Sequence, residues 1–278
     1  MMLNNPLIIK LGGSIITDRQ KPYTLEKETC RHLIKKIKKL KQQSTRPIVL
    51  ILGGGSFGHP SVHQYNLANA GSYSNLQQFS RLTLSLYQLV QEFMEVGYEE
   101  SVDFSPFQSN SLFVSRNGQI ERVFDDPITN CFKLNHIPLL TGGVAFDLEK
   151  GQMIFGSDRV PELIATMYPS GQSIFVSDID GVYDASKNQI YKRITPTDYE
   201  AICHSIFESQ KLDVTNGMQG KVDSAMRLVH LGVESVICSV STFLNQETKQ
   251  ILSKGLKGTY FSPYETAIDL KFPTEEKC

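Results

Sequence analysis

The sequence predicts an α/β fold built on a mostly parallel sheet with helices on both faces. Short apolar runs alternate along the chain with longer amphipathic stretches. Three of the apolar runs stop at a pair or a triplet of glycines. Alternating strands and helices are typical of a parallel sheet that is buried on both faces.

The first half of the chain supplies two predicted strands and two predicted helices. Leu7–Ile9 is a short apolar run, and Pro47–Leu52 is a continuous one, so both predict buried strands. Leu25–Leu40 carries apolar residues at helical spacing with lysines between them, and Ser80–Val96 has a similar pattern. Both stretches are therefore predicted to be helices.

The second half continues the same alternation. We predict strands at Ile137–Leu140, Ser173–Val176 and Ser235–Val240, and a helix at Gly217–Leu231. Ala68–Asn75 and Asp103–Asn117 are rich in Ser, Asn and Gln, which predicts loose segments. A lobe boundary is expected near Pro161–Gly171, which divides the chain into residues 1–165 and 166–278.

Composition limits the classes of partner. The chain has 278 residues, with 28 Lys+Arg against 29 Asp+Glu and a net charge of −1. This balance gives no overall attraction to nucleic acid or to an anionic membrane, so neither is predicted as a partner. Any anionic ligand would have to be held by local positive groups. With 40% hydrophobic and 21% charged residues, wholesale disorder is excluded.

The cysteines predict a reducing compartment. The chain has five of them, scattered and without a C-x-x-C pair, so we expect neither a disulfide framework nor a zinc site. No apolar run is long enough to cross a bilayer, and the apolar stretch before Lys10 is too short for a secretion signal. These features predict a soluble, cytoplasmic protein.

The glycine loops predict an anion site. In open α/β sheets ligands bind beyond the carboxyl ends of the strands, where glycine lets backbone N–H groups approach an anion. Gly53-x-Gly55-x-x-Gly58 fits the dinucleotide pattern, but no acidic residue occurs between Ser61 and Gln91, which excludes NAD. His59 stands where a P-loop needs lysine. An anion-binding loop remains, beside the alternative of a tight turn.

Charged residues next to these loops are candidates for the same site. Lys10 interrupts an apolar strand two residues before a glycine pair, where its charge is costly unless it is paired. It either points at a phosphate or extends to solvent at a sheet edge. Lys221, near a helix start, could reach a phosphate, and Asp158 could orient lysines or cap a helix. Asp178 and Asp180 have turn formation as their alternative role.

Taken together, four segments resemble the amino acid kinase superfamily in order and separation. They are Lys10-Leu-Gly-Gly-Ser14, Gly53-Gly-Gly-Ser-Phe-Gly-His-Pro60, Ser177-Asp-Ile-Asp-Gly-Val-Tyr183 and Asp213-Val-Thr-Asn-Gly-Met-Gln-Gly-Lys221. The resemblance covers nearly the whole chain. The histidine after the glycine loop resembles the isopentenyl phosphate kinases and their relatives, the fosfomycin kinases. The resemblance to the superfamily implies an open αβα sandwich, ATP with Mg²⁺ as phosphoryl donor, and a homodimer.

Residue roles follow from the resemblance, position by position. Lys10 would contact the transferred phosphoryl group, Lys221 the ATP phosphates, and His59 the acceptor's phosphate or phosphonate, while Asp158 would orient the lysines. The predicted acceptor residues are Gly53, Gly54, Gly55, Ser56, Gly58, His59, Gly142 and Gly143. The predicted nucleotide residues are Lys10, Gly12, Gly13, Ser14, Arg19, Asp178, Asp180, Gly181, Tyr183, Thr215, Gly217 and Lys221. Residues 1–165 would bind the acceptor, and 166–278 would bind ATP.

Some positions depart from the family pattern. Arg19 stands where a second lysine is usual, and Gly143 replaces an aspartate. His59-Pro60 resembles the isopentenyl phosphate enzymes, whereas Ser157–Glu162 resembles the fosfomycin kinases. Three functions therefore stay open: an isopentenyl phosphate kinase, a kinase for a fosfomycin-like phosphonate or phosphate, and a non-catalytic nucleotide-binding relative. Five apolar residues of the helix after the loop are either core or a pocket for a prenyl tail: Leu84, Leu86, Leu89, Val90 and Phe93.

Overall fold

A large, mostly parallel sheet organises the chain, as predicted. The computed structural model describes residues 5–64, 67, 76–169, 171–184, 189–200 and 217–262. The sheet has eight strands: β1 Leu7–Leu11, β2 Ile48–Leu52, β3 Phe104–Gln108, β6 Ile137–Thr141, β9 Gln172–Ser177, β12 Arg193–Ile194, β13 Glu234–Ser239 and β14 Thr259–Phe261. Their order is β12-β14-β13-β9-β1-β2-β6-β3, and β13–β14 is the one antiparallel neighbour pair.

Helices cover both faces of this sheet. They are α1 Gly13–Ile16, α2 Lys27–Gln43, α3 Gly55–Gln64, α4 Leu76–Glu99, α5 Asp126–Lys133, α6 Val160–Met167, α7 Gly217–His230, α8 Val240–Asn245 and α9 Thr248–Leu252. Alternate residues of β1 point to opposite faces, so that Leu7 and Ile9 enter one core and Ile8 another. The predicted open αβα sandwich is confirmed. No helix in the described ranges is long and apolar enough to cross a membrane.

A second, smaller sheet was not predicted. It contains β4 Phe113–Arg116, β5 Gln119–Val123, β7 Gly143–Asp147 and β8 Gly151–Phe155, in the order β5-β4-β7-β8. A separate two-stranded ribbon pairs β10 Tyr183–Asp184 with β11 Gln189–Ile190. The four-stranded sheet and the ribbon are separate from the eight-stranded sheet.

The prediction of a loose segment at Asp103–Asn117 is wrong. This stretch forms β3, a short 3₁₀ turn at Ser109–Ser111, and β4. Phe104 and Phe113 are buried and hold the strands in place. Pro106 fits because β3 is the last strand of the sheet, and an edge strand tolerates a residue that cannot donate a backbone hydrogen bond. The other predicted loose segment, Ala68–Asn75, lies outside the described residues.

The proposed division after residue 165 falls inside α6, and the sheet runs across it. Strand β9 of the second half pairs in parallel with β1 of the first half and with β13 on its other side. The two halves therefore share one sheet, and the assignment of an acceptor half and an ATP half stays a prediction.

Candidate active site

Three neighbouring parallel strands end at the same edge of the sheet and open into one cleft. Leu11 of β1 is in register with Leu52 of β2 and with Val176 of β9, so the loops after these strands emerge side by side. We call the cleft of about 1160 Å³ between them the glycine cleft. Its lining includes Lys10, Gly12, Gly13, Ser14, Arg19, Gly53, Gly54, Gly55, Ser56, Asp158, Asp178, Asp180, Gly181, Tyr183 and Lys221. Most of the predicted site residues are thus brought together.

The two glycine loops touch one another. A Cβ atom on Gly13 would lie 2.3 Å from the backbone nitrogen of Gly55, and one on Gly53 would lie 2.2 Å from the backbone nitrogen of Gly13. Real Cβ atoms do not approach backbone so closely, so both positions require glycine for loop packing alone. The glycines thus have a structural role whether or not an anion binds there.

Thr17 fastens these loops together. Its hydroxyl donates to the Gly13 carbonyl at 2.8 Å and accepts the backbone N–H of Ser56 at 2.9 Å. The side chain is buried. Because one hydroxyl forms hydrogen bonds to both loops, the loop after β1 and the start of α3 are held at a fixed separation.

Substituting Gly55 by alanine is expected to destabilise the fold by more than about 2 kcal/mol. Its φ of +44° already costs an L-residue about 1–2 kcal/mol, and a Cβ would also lie 2.1 Å from the Thr17 hydroxyl. Gly232→Ala is the matched control, because Gly232 has a φ of +76° and no atom within 4 Å of its Cβ position. Urea denaturation of both variants separates the two costs, and equal losses would contradict the clash.

Lys10 is buried in the middle of the sheet and paired. Its strand lies between β2 and β9, which excludes the alternative of a lysine at a sheet edge. The ammonium lies 2.6 Å from a carboxylate oxygen of Asp158, and the two side chains are 4% and 30% exposed. The ion pair offsets part of the free-energy cost of burying an ammonium group. The same pairing fixes the direction in which the ammonium points into the glycine cleft.

The Asp158 carboxylate stays ionised because several cations surround it. Burial on its own raises the pKa of Asp158, but the charges of Lys10, Lys221 and Arg227 outweigh burial and lower the pKa. Asp158 sits in the 3₁₀ turn Ser157–Arg159, just before α6. The Asp158 carboxylate therefore interacts with both the Lys10 ammonium of β1 and the charge of Lys221 on α7.

Two contacts fix α7 against that turn. The Ser224 hydroxyl donates to the backbone carbonyl of Asp158. Glu162 of α6 forms ion pairs with Arg159 and with Arg227, each at 3.1 Å. Lys221 lies one turn before Ser224 on the same helix, so these contacts set the position from which Lys221 reaches the glycine cleft.

An ion pair lies at one side of the glycine cleft. Arg19 pairs with Asp178, which joins the loop after β1 to the loop after β9. Burial raises the pKa of Asp178, but a hydrogen bond from Ser177 and the charges of Arg19 and Lys221 lower it more. Arg19, the departure from the family's lysine, therefore stands at the cleft with its charge engaged by a carboxylate.

Some predicted residues lie partly or wholly outside the described residues. His59 lies in α3, and its side chain is outside the described part of the structure. Thr215 lies outside it entirely, and Gly217 is the first residue of α7. Gly58 lies within α3 against a methyl group of Leu86, 3.8 Å from its Cβ position. Their predicted roles stay predictions.

Gly142 and Gly143 lie in a second cavity rather than in the glycine cleft. This apolar cavity of about 970 Å³ separates α4 from the strands β3, β6 and β7. Its lining includes Thr83, Leu86, Tyr87, Val90, Met94, Tyr98, Phe107, Gln108, Thr141, Gly142, Gly143, Val144 and Phe155. A Cβ on Gly142 would lie 2.4 Å from the backbone nitrogen of Ser157, so this glycine too is needed for close packing.

Leu86 separates the two cavities. One of its methyl groups lies 3.4 Å from the Cβ position of Gly54, in the glycine loop after β2, and the other lies 3.7 Å from that of Gly143. The five apolar residues predicted as pocket or core divide accordingly. Leu86 and Val90 line the cavity, Leu89 and Phe93 are fully buried in the core, and Leu84 is 65% exposed.

Sequence comparison identifies the family. A sequence model described as the amino acid kinase family matches residues 5–239. The chain belongs to the amino acid kinase family. Among curated members, the isopentenyl phosphate kinase of Methanocaldococcus jannaschii is 25% identical over 225 residues, covering 78% of this chain and 85% of the relative. That of Methanothermobacter thermautotrophicus is 24% identical over 265 residues, covering 91% and 97%.

Solved structures of the family share the fold. A structure of isopentenyl phosphate kinase matches with a TM-score of 0.75 at 20% identity, covering 93% of this chain and 100% of the other. The Thermoplasma acidophilum isopentenyl phosphate kinase, solved as a product complex, matches with a TM-score of 0.69 at 18% identity, covering 92% and 100%. The arrangement of sheet and helices described above is therefore the fold of the amino acid kinase family.

Several residues at this family site were missed in the sequence. Four residues outside the predicted site set position Asp158 and the glycine loops: Thr17, Glu162, Ser224 and Arg227. Thr17 gave one signal, because it is a polar residue directly after the apolar Ile15 and Ile16. Glu162 appeared only as the last residue of the Ser157–Glu162 segment, without a role. Ser224 and Arg227 gave no signal, because their importance depends on how α6 and α7 pack.

Proposed function

We propose that this chain is an ATP-dependent kinase that transfers a phosphoryl group to isopentenyl phosphate, forming isopentenyl diphosphate and ADP. One observation carries the proposal: the buried Lys10 ammonium is held by Asp158 where two glycine loops meet, in a cleft that also contains Lys221. The adjoining apolar cavity has a size and lining suited to a hydrocarbon tail. The curated relatives named isopentenyl phosphate kinase support the same acceptor.

Cations and backbone amides account for the proposed transfer. An oxygen of the acceptor phosphate forms a bond to the γ-phosphorus of ATP, and the bond from that phosphorus to the ADP oxygen breaks. Catalysis of this step depends mainly on positioning and charge stabilisation. Lys10 would contact the transferred group, Lys221 the donor phosphates, and the amides of the Gly53–Gly55 loop the acceptor.

A monophosphate acceptor needs no general base. Its second pKa lies near about 6, so it is largely a dianion at neutral pH and already nucleophilic. Two of the three carboxylates that line the glycine cleft form ion pairs, Asp158 with Lys10 and Asp178 with Arg19, which agrees with a transfer that needs no general base. An acceptor hydroxyl would instead call for a nearby base.

Mg²⁺ fits the donor side of the glycine cleft as a companion of ATP. No cluster of three or more His, Cys, Asp or Glu side chains in the described ranges could hold a metal by itself. Mg²⁺ is usually held by phosphates together with one or two carboxylates, and Asp180 offers one at this cleft. When bound, it would neutralise part of the phosphate charge.

Further properties belong to the same proposal. Residues 1–165 would provide the acceptor side and residues 166–278 the ATP side of one continuous fold. We also propose a cytoplasmic homodimer that has no nucleic acid or membrane partner. The free cysteines Cys30, Cys131 and Cys238 of the described part are compatible with a reducing compartment.

A small phosphonate or phosphate such as fosfomycin is the second candidate acceptor. The Ser157–Glu162 segment favours it by resemblance, whereas the apolar cavity beside Gly143 favours a prenyl tail. A coupled ADP-release assay across isopentenyl phosphate, dimethylallyl phosphate and fosfomycin decides between them by the ratio of kcat/KM values. Calorimetric ATP binding without transfer to any acceptor would instead support a non-catalytic relative.

Replacing His59 by alanine is expected to lower kcat/KM for isopentenyl phosphate by at least about 100-fold, the usual effect of losing one donor to a reacting phosphate-like anion. The thermal unfolding midpoint should stay unchanged, because the proposed partner of His59 is the ligand. His32→Ala, an exposed histidine of α2, is the control. Full turnover by His59→Ala would remove the proposed acceptor role.

A further inference from the structure

One buried hydroxyl joins both ends of the two-stranded ribbon to the main sheet. Thr259, the first residue of β14, is fully buried. Its hydroxyl donates to the backbone carbonyl of Tyr191 at 2.6 Å and accepts the backbone N–H of Val182 at 2.8 Å. Val182 directly precedes β10, and Tyr191 directly follows β11. A hydroxyl has a single proton to donate, so Thr259 spends it on the base of the ribbon.

The ribbon is short and depends on such anchors. Its described part contains two cross-strand pairs, Tyr183 with Ile190 and Asp184 with Gln189. The backbone N–H of Tyr191 also donates to the carbonyl of the residue before β10 at 2.9 Å, which closes the ribbon at its base. A two-stranded ribbon is at best marginally stable in water by itself. Its orientation against the eight-stranded sheet is therefore set by the contacts at this base.

The loop that leads into the ribbon lies directly on the same hydroxyl. A Cβ atom on Gly181 would lie 2.5 Å from the Thr259 hydroxyl oxygen and 2.6 Å from a methyl group of Ile190. Real Cβ atoms do not come so close to other heavy atoms, so no side chain fits between loop and ribbon. The loop after β9 and the ribbon thus pack against Thr259 without free space.

The ribbon forms one wall of the glycine cleft. Tyr183 and Ile190 are directly opposite one another, so their side chains lie on the same face of the ribbon. Both line the glycine cleft, and both are partly exposed. Gly181 lines the cleft as well, whereas Thr259 is not among the lining residues. A change in the tilt of the ribbon would therefore move a wall of the cleft on the side assigned to the nucleotide.

We propose that Thr259 is a positioning residue for the nucleotide: its hydroxyl fixes the ribbon in the orientation in which Tyr183 faces bound ATP. The inference rests on the proposed kinase function and adds a residue to its donor side. Without the hydroxyl, the ribbon samples several orientations, and the apparent affinity for ATP falls by the fraction that is competent to bind. At saturating ATP the ribbon is in place, so the Lys10 ammonium acts as in the wild type.

Thr259→Val and Thr259→Ser test the hydroxyl by itself. Valine has nearly the shape of threonine but cannot form either hydrogen bond, whereas serine can form both. We expect Thr259→Val to raise the Kd and the KM for ATP at least about tenfold, as for a ribbon that is competent about a tenth of the time. The KM for isopentenyl phosphate and kcat at saturating ATP should stay within about threefold. Thr259→Ser should restore the ATP values.

Thr129→Val is the matched control. The Thr129 hydroxyl of α5 forms a hydrogen bond to the Tyr168 hydroxyl at 2.7 Å, and neither residue lines the glycine cleft. This variant should lower the thermal unfolding midpoint and leave both KM values unchanged. If Thr259→Val shows the same pattern, Thr259 only stabilises the fold and the proposal is overturned. If calorimetry finds no ATP binding to the wild type, the kinase function and this inference fail together.

A fluorescent probe measures the ribbon without turnover. The chain contains no tryptophan, so Tyr183→Trp places a single indole on the ribbon. In this background and without nucleotide, Thr259→Val should lower the fluorescence anisotropy and Thr259→Ser should not. Gly181→Ala, which pushes the ribbon away from an intact hydroxyl, should also lower it, and it carries the test if Thr259→Val does not fold. Wild-type anisotropy in the folded variants overturns the proposal.

Discussion

Replacing Lys10 by methionine is expected to lower kcat by about 10³-fold or more while leaving the KM for ATP nearly unchanged. The buried ammonium is the charge proposed to contact the transferred phosphoryl group, and groups that stabilise developing phosphate charge contribute on the order of 10³ or more. A contact made mainly in the transition state affects kcat and kcat/KM together. Methionine keeps an unbranched side chain as far as the Cε position and lacks the ammonium.

Lys36 provides a matched control for this substitution. It is the other buried lysine of the described chain, and its ammonium donates to the Gln246 carbonyl, away from the glycine cleft. Lys36→Met should shift the urea midpoint of unfolding and leave kcat within about twofold of the wild-type value. A substitution away from the glycine cleft acts through stability. If Lys10→Met also retains more than a tenth of kcat, Lys10 does not contact the transferred group.

The sequence predicted the location of Lys10 better than the reason for the glycines beside it. Apolar neighbours and a following glycine pair indicated a strand ending at a ligand site, and the structure confirms that this strand ends at a cleft. The same glycines were interpreted as room for an anion, yet Gly13 and Gly53 are first of all needed because their loops touch. A sequence shows that a glycine lacks a Cβ. It does not show which atom occupies the space where that Cβ would lie. That depends on strands far apart in the chain becoming neighbours.

The apolar cavity was only half visible in the sequence. The sequence indicated five apolar residues of α4 as core or pocket: Leu84, Leu86, Leu89, Val90 and Phe93. Of these, Leu84 is exposed. The sequence could not show that Leu89 and Phe93 enter the core whereas Leu86 and Val90 face a cavity. That division is created by the small second sheet. Strand β4 of that sheet was missed because Ser, Asn and Gln are frequent around the buried Phe113.

Replacing Asp158 by asparagine is expected to lower kcat by about 100-fold, less than the loss of Lys10. Asparagine has nearly the same shape and keeps a carbonyl oxygen for the Lys10 ammonium at 2.6 Å, but it removes the charge that directs the ammonium. Arg227 and Lys221 also lose the carboxylate between them, so their mutual repulsion increases. Asp158 acts through the lysines, and its loss should therefore reduce kcat more than it changes the KM for the acceptor.

The pH dependence of stability distinguishes this role from simple packing. The pKa of Asp158 is lower in the folded chain than in the unfolded chain, where it is about 3.9. Its contribution to stability is thus fully present above about pH 4 and is lost as the pH falls through the folded-state pKa. The difference in unfolding free energy between wild type and Asp158→Asn should shrink as the pH falls from 6 towards 3.

Asp147 offers the control for that titration. Hydrogen bonds from the backbone of Gly118, Glu149 and Lys150 lower its pKa despite the opposing effect of burial, and it lies in the second sheet, outside the lining of the glycine cleft. Asp147→Asn should therefore reproduce the acid-dependent loss of stability with kcat within about twofold. If Asp158→Asn matches it in both respects, Asp158 holds the fold together and does not direct Lys10.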